Sequence, residues 1–187
     1  MTATHVRSMF RNMMHISNDT RRKTALFQAE LATDDAFLAK MAMDFAQLAA
    51  KQAGPVYLDM GIRFPVSMSS TMLYLNRVDD ASLVEMARAL DHPHQLVARR
   101  IKELLKLELI VGVQDPHDRR RTLYRLTDEG REQGARLEAY RRDAGPAFHD
   151  LSAELGVNLI GLLGEAIRLL HAVPLGERLK ASTGVVA

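Results

Sequence analysis

The sequence predicts a mainly α-helical chain carrying one small β-hairpin, and three observations support that. Apolar residues recur at three- and four-residue spacing through most of the 187 residues, the mark of helices that bury one face. One stretch breaks the pattern with two pentapeptides rich in β-branched and aromatic residues around a polar, proline-containing turn. Apolar runs are too short and too interrupted for a membrane span of about 20 residues.

From the N-terminus, Val6, Met9, Phe10 and Met13 are spaced for a short amphipathic helix ending near Ser17-Asn18-Asp19, and its methionines read as gap-filling packing. Arg21-Arg22-Lys23 reads as a solvated basic turn. Thr33-Asp34-Asp35 starts a helix with Phe37, Met41, Phe45 and Leu48 on one face, and Gly54-Pro55 is expected to end it. Residues 56–64 form an irregular connection, and Pro65 opens a helix to about Asn76 with Met68, Met72 and Leu75 on one side.

Ser82 precedes an apolar-periodic run, and Glu85 lies three residues on, so hydroxyl and carboxylate can satisfy the first free backbone N–H groups of a two-turn helix. Asp91-His92-Pro93 turns the chain, with Pro93 suited to the first position of the next helix, which runs to about Leu107. Val97, Ile101 and Leu104 form its buried stripe and leave His94, Gln95, Ala98, Arg99 and Lys102 to meet solvent or a partner. Strands over 110–114 and 122–126 enclose Asp115-Pro116-His117-Asp118-Arg119-Arg120-Arg121, which puts three arginines at a hairpin tip. Thr127, Asp128 and Glu129 then cap a further helix. Two short helices, an arginine-tipped hairpin and a third helix make a winged helix-turn-helix.

Leu137, Tyr140, Ala144, Phe148, Leu151 and Leu155 continue as a helix-pairing seam, kinked at Gly145-Pro146. Gly156 stops the helix and Asn158 caps another, 159–171, which is apolar over more than one face and calls for a partner subunit. Residues after Pro174 are expected to fray, with Leu175 and Leu179 available to extend contact with a partner.

Composition narrows the function. At 47% hydrophobic and 26% charged residues the chain is an ordinary globular one, and the absence of cysteine removes disulfides, thiolate metal sites and thiol catalysis together. Arg7 and Arg11 interrupt the apolar residues of the N-terminus, so no secretory leader is read and a cytoplasmic location is expected. Net charge is only +2, but residues 86–125 hold nine bases against five acids, a local basic face suited to DNA. His92, His94 and His117 with Asp118 invite a metal reading, yet His92 and His94 point about 200° apart on a helix start, and no metal or cofactor is expected. No phosphate loop, activated nucleophile or carboxylate pair assembles, and His149 beside Asp150 projects about 100° away from it, so the chain is not read as an enzyme. Glutamine pairs bidentately with adenine and arginine with guanine, so a helix bearing Gln95 and Arg99 fits the major groove, and wing arginines fit the narrow minor groove.

The run from Asp115 to Gly130, with the wing leading into Leu126-Thr127-Asp128-Glu129-Gly130, resembles the MarR (multiple-antibiotic-resistance regulator) family, and 82–104 is similar to that family's helix-turn-helix. Arg100, Glu108 and His92 depart from its usual apolar residue, glycine and apolar residue. The resemblance implies a homodimeric repressor on a pseudo-palindromic operator. It also implies Arg120 as the arginine inserted into the minor groove, with Asp118 bracing it. A small-molecule effector pocket, often for aromatic or phenolic acids, is implied between dimerisation helices and DNA-binding lobe; Tyr57, Arg63, Phe64 and Tyr74 are placed to line one, and no ligand residues are assigned. The absence of cysteine removes the peroxide-sensing thiol some members use.

The expected organisation is N-terminal dimerisation helices over 1–53, a winged lobe over 54–130 and C-terminal dimerisation helices over 131–187. His94, Gln95, Ala98, Arg99, Lys102, Asp118, Arg119, Arg120 and Arg121 are the expected DNA-binding residues. A winged helix can also serve as a protein-protein module, and salt-dependent DNA binding separates the two.

Overall fold

The computed structural model describes residues 18–183, so the helix expected around Val6 to Met13 lies outside the described residues. The chain divides into two compact units, one up to Pro55 and one from Val56.

The first unit holds helix α1 (Asn18–Thr33), a 3-10 turn (Asp35–Phe37) and most of α2 (Leu38–Asp59). Arg21-Arg22-Lys23, expected as a turn, lies in the first turns of α1, where Lys23 pairs with Asp19 at 2.7 Å, one helical turn back. Asp34 does start the next segment: its carboxylate accepts the Ala36 N–H at 2.9 Å. Met41, Phe45 and Leu48 of α2 are exposed.

Gly54-Pro55 does not end α2, which continues to Asp59 with Pro55 inside it. An interior proline costs about 3 kcal/mol through a lost ladder bond and a clash with the preceding turn. Packing beyond it is what offsets that cost. Tyr57 is buried, edge-on to Phe64 at 6.1 Å and to Tyr140 at 4.7 Å, with its hydroxyl 2.7 Å from Ser69 Oγ. The helix stops at Gly61, whose φ of +67° lets the Ile62 N–H reach the Tyr57 carbonyl at 2.7 Å and its own N–H reach that of Leu58 at 2.9 Å.

The second unit continues through a 3-10 turn (Val66–Met68), α3 (Ser69–Leu75), β1 (Ala81–Ser82), α4 (Leu83–Ala89), α5 (His94–Lys106), β2 (Ile110–Gln114), β3 (Thr122–Leu126), α6 (Asp128–Glu154), α7 (Leu159–Ala172) and α8 (Leu175–Thr183). The sheet is antiparallel in the order β1-β3-β2, with Ile110 opposite Leu126, Gln114 opposite Thr122 and Ala81 opposite Tyr124. The expected two-stranded hairpin therefore gains a third strand, too short to leave a period in the sequence. Met72, Leu75, Met86, Val97, Ile101, Leu104, Leu109, Leu126 and Leu137 form one core beneath it.

Helix α6 runs unbroken through Pro146 and stops at Gly156, φ +68°; Asn158 caps α7 by accepting the Gly161 N–H at 3.1 Å, and the two helices meet at 85°. Leu137 on the seam is buried, Tyr140, Ala144 and Leu151 are half-buried, and Phe148 and Leu155 are exposed. No residue of α7 is buried. Where fraying is expected after Pro174, residues Leu175–Thr183 form a helix. Pro174 starts α8, accepting the Glu177 N–H at 2.9 Å, and Arg178 turns back to cap α7, donating to the carbonyls of Leu169 at 2.9 Å and Val173 at 3.0 Å. Among the described residues no single helix is long and apolar enough to cross a membrane.

Candidate nucleic-acid interface

Helix α4 is fixed at its start by the capping box the sequence spells out. Ser82 Oγ accepts the Glu85 N–H at 3.3 Å, and Glu85 Oε2 accepts the Ser82 N–H at 2.8 Å and its hydroxyl at 2.7 Å. At its end Asp91 takes φ +50°, and the His92 N–H reaches the Ala87 carbonyl at 3.0 Å. Pro93 then sits at the N-cap of α5 with extended backbone, one position earlier than expected, and its carbonyl accepts the Leu96 and Val97 N–H groups at 3.0 and 3.2 Å.

On α5 the expected stripe Val97, Ile101 and Leu104 is buried against the core, which turns the opposite face outward. His94, Gln95, Arg99 and Lys102 are exposed and Ala98 is half-buried, so these five share the outer face. Gln95 and Arg99 lie four residues apart, one helical turn. Glu108, standing where glycine is usual, has φ +57°: it ends α5 in the left-handed conformation, with the Leu109 N–H on the Leu104 carbonyl at 3.1 Å.

Two departures from the family pattern are partners. Arg100 Nη1 lies 3.0 Å from His92 Nδ1 and donates to Ser70 Oγ at 3.2 Å, so one guanidinium joins α5, the turn before it and α3. Its Nε is buried without a hydrogen-bond partner among the described residues. Burial first, and then the neighbouring Arg100 charge, hold the His92 imidazole below its usual pKa, so it meets the guanidinium as a neutral acceptor. On the other side of the turn, His171 Nε2 of α7 lies 3.3 Å from Asp91 Oδ2.

In the wing, Asp115 is buried and its Oδ1 accepts the N–H groups of His117 at 2.8 Å and Asp118 at 3.3 Å, which folds the loop over. Those N–H bonds, His117 first, hold its carboxyl below the usual range. Asp118 Oδ1 accepts from Arg120 twice, from the backbone N–H at 3.0 Å and from Nε at 3.3 Å. The Arg120 side chain is nevertheless 92% exposed, a guanidinium steered at its root and open at its tip. Arg119 is exposed as well, and its carbonyl accepts from Gln114 Nε2 at 2.8 Å. Arg121 is the exception. It turns back to Ser82 and Glu85 of α4, with Nη2 3.0 Å from Glu85 Oε1.

Of the aromatic and basic residues placed to line a pocket, Tyr57 and Phe64 are core residues, Arg63 pairs with Glu129 at 2.6 Å, and Tyr74 borders a cleft of about 520 Å³ at the base of the wing. No group of three histidine, aspartate or glutamate side chains converges as a metal site among the described residues. Glu85 meets Arg121 across 36 residues and Ser70 meets Arg100 across 30, pairings that no local spacing in the sequence signals.

An outward helix face beside an arginine-tipped hairpin on a three-stranded sheet defines a winged helix-turn-helix domain. A model of the MarR family matches residues 69–121, within that winged lobe. Solved structures share the fold at low identity. A probable transcriptional regulator from Pseudomonas aeruginosa is 23% identical, aligned over 73% of this chain and 98% of its own, with a TM-score of 0.58. The PcaV transcriptional regulator from Streptomyces coelicolor, in complex with its natural ligand, is 21% identical over 76% of this chain and 95% of its own, TM-score 0.58. The transcriptional repressor CouR, bound to a 23-mer DNA duplex, is 22% identical over 76% and 95%, TM-score 0.55. No curated protein matches the chain.

Proposed function

We propose that this chain is a sequence-specific DNA-binding repressor that acts as a homodimer, has no catalytic role and is released by a small-molecule effector. The observation that carries the DNA reading is Arg120, braced by Asp118 and 92% exposed at the wing tip, on the same lobe as the open face of α5. Gln95 and Arg99 are assigned to base edges in the major groove, with His94, Ala98 and Lys102 beside them, and Arg119 and Arg120 to the minor groove and its phosphates. Repression is assigned because CouR, which shares the fold, is a repressor bound to DNA, and effector release because PcaV is in complex with a natural ligand.

Dimerisation is assigned to the helices outside the winged lobe, 1–53 and 131–187. Ile160, Leu162, Leu163, Ile167, Leu169 and Leu170 of α7 are all exposed in the single chain, an apolar surface that a second copy would cover. Two copies would present two α5 helices to a pseudo-palindromic operator.

Selection of bound duplexes from random DNA, followed by binding against salt concentration, tests this reading. Arg120→Ala is expected to weaken binding and to lower the salt slope by about one unit, and Arg120→Lys to recover part of the loss, since the charge is kept and the planar fork is not. Unchanged affinity and slope in Arg120→Ala would move the function to protein-protein contact.

A further inference from the structure

The geometry points to Arg121 as a positioning residue that ties the wing to the first turn of α4 and makes no DNA contact of its own, a role that rests on the DNA-binding reading above. Its guanidinium lies between two carboxylates from different parts of the lobe: Nη2 is 3.0 Å from Glu85 Oε1 and Nε is 3.6 Å from Asp115 Oδ2, with Ser82 Oγ 3.2 Å from Nη2. All three acceptors are themselves held. The second oxygen of Glu85 is occupied by the Ser82 N–H and hydroxyl, and Asp115 is buried at the root of the wing with its second oxygen on two loop N–H groups. The bridge spans 36 residues of sequence and lies beside the place where Ser82 of β1 pairs with Leu123 of β3, so it extends that short sheet contact toward the tip.

Charge separates Arg121 from its neighbours. Two carboxylates around one guanidinium make the Arg121 group net negative and repellent to a phosphate, whereas Arg120 has a single carboxylate at its root and a tip open to solvent. The hairpin consists of two five-residue strands, and a ribbon of that size is marginally stable by itself. Without the tie the angle of its tip to α5 rests on the backbone ladder and the short β1 contact. With it the wing turns with α4, and the spacing between groove contacts of wing and α5 is set.

The test uses the full chain with Arg121→Gln, Glu85→Gln and the double variant; glutamine at 85 keeps the capping box, so α4 remains folded. In the free protein, each single variant is expected to speed amide exchange across 115–121. On the selected operator each is expected to weaken binding by about three-fold, in line with a partly exposed ion pair. The double variant should be no weaker than either single, and the salt slope should stay unchanged where Arg120→Ala lowers it. A slope that falls in Arg121→Gln as it does in Arg120→Ala, or tighter binding by Glu85→Gln, makes Arg121 a phosphate contact and overturns the assignment. Unchanged exchange in all three variants overturns it as well. If the parent chain binds no duplex, the DNA-binding reading has failed, and exchange alone decides whether the tie exists.

Discussion

Gly130 sits in the first turn of α6 where a methyl group has no room. A Cβ built there would lie 1.9 Å from the carbonyl oxygen of Leu109 and 3.3 Å from Leu126 Cβ, against a closest real approach of 3.0 Å, so helix and chain must part by about 1.1 Å. Both sides are anchored. The Leu109 carbonyl already accepts the Thr127 N–H at 3.1 Å, and Thr127 Oγ1 donates to the Glu108 carbonyl at 2.8 Å while capping α6 through the Gly130 N–H at 3.0 Å. Gly130→Ala should therefore cost about 1–3 kcal/mol in overpacking and about 1 kcal/mol in a weakened hydrogen bond, offset by about 1 kcal/mol of helix propensity. The net is about 2 kcal/mol, or about 4–8 °C of Tm for a chain of this length. Gly134, one turn on, is the control. Its Cβ would meet Asn76 Oδ1 at 2.6 Å and Cγ at 2.8 Å, the end of an exposed side chain that can swing aside, so the same helix-propensity gain of about 1 kcal/mol should leave Gly134→Ala at least as stable as the parent. Urea and thermal unfolding followed by circular dichroism at one chain concentration measure both. A Gly130→Ala that unfolds with the parent, or a Gly134→Ala that loses as much, refutes the steric argument.

Glu108 pays the left-handed penalty at φ +57°, about 1–2 kcal/mol, against about 0.5–1 kcal/mol of extra unfolded-chain entropy for glycine. Glu108→Gly should thus raise the urea midpoint by the equivalent of about 0.5–1 kcal/mol, and a lower midpoint contradicts this. Glu85 has its pKa lowered to about 2, chiefly by the Ser82 hydroxyl and N–H and then by Arg121. A lowered folded pKa means stability that is present above the ordinary value of 4.5 and is lost as pH falls from there toward 2. Because the side chain is 51% exposed, the loss attributable to it should be about 1 kcal/mol, read as a flatter acid limb of the stability curve in Glu85→Gln. An acid limb identical to the parent's would remove Glu85 from the account. Replacing Leu163 and Leu170 together by glutamate should leave monomer or aggregate in sedimentation, and a double variant that sediments as a dimer places the interface elsewhere.

Sequence reading succeeded where a signal closes within one or two turns. The capping box of Ser82 and Glu85, the Thr127 cap, the stripe Val97, Ile101 and Leu104, and the two strands of the hairpin all lie where their spacing put them. It failed where the deciding partner is distant. Pro55 reads locally as a stop, and only the burial of Tyr57 against Phe64 and Tyr140 explains a helix that continues past it. Pro174 reads as an end, yet Arg178 caps the preceding helix from the following one. The interface divides in the same way. The pairing of Arg120 with Asp118 is implied by the family resemblance of the wing, whereas the ties of Arg121 to Glu85 and of Arg100 to Ser70 cross 36 and 30 residues and leave no local signal.

Gln133 is fully buried, and its amide serves the bend that follows α2: Oε1 accepts the Arg63 N–H at 2.8 Å, and Nε2 donates to the Gly61 carbonyl at 3.1 Å and to Glu129 Oε1 at 3.2 Å. This amide makes the order of folding matter. The bend at 61–63 cannot satisfy those backbone groups with Gln133 until 70 further residues have been made, and closing a loop of that length costs about 4 kcal/mol of chain entropy before the bonds are gained. A chain cut after β3 has all its wing and recognition residues but leaves Gly61 and Arg63 without that partner. The first three turns of α6 therefore close the core of the winged lobe, through the Gln133 amide and the buried Leu137 side chain.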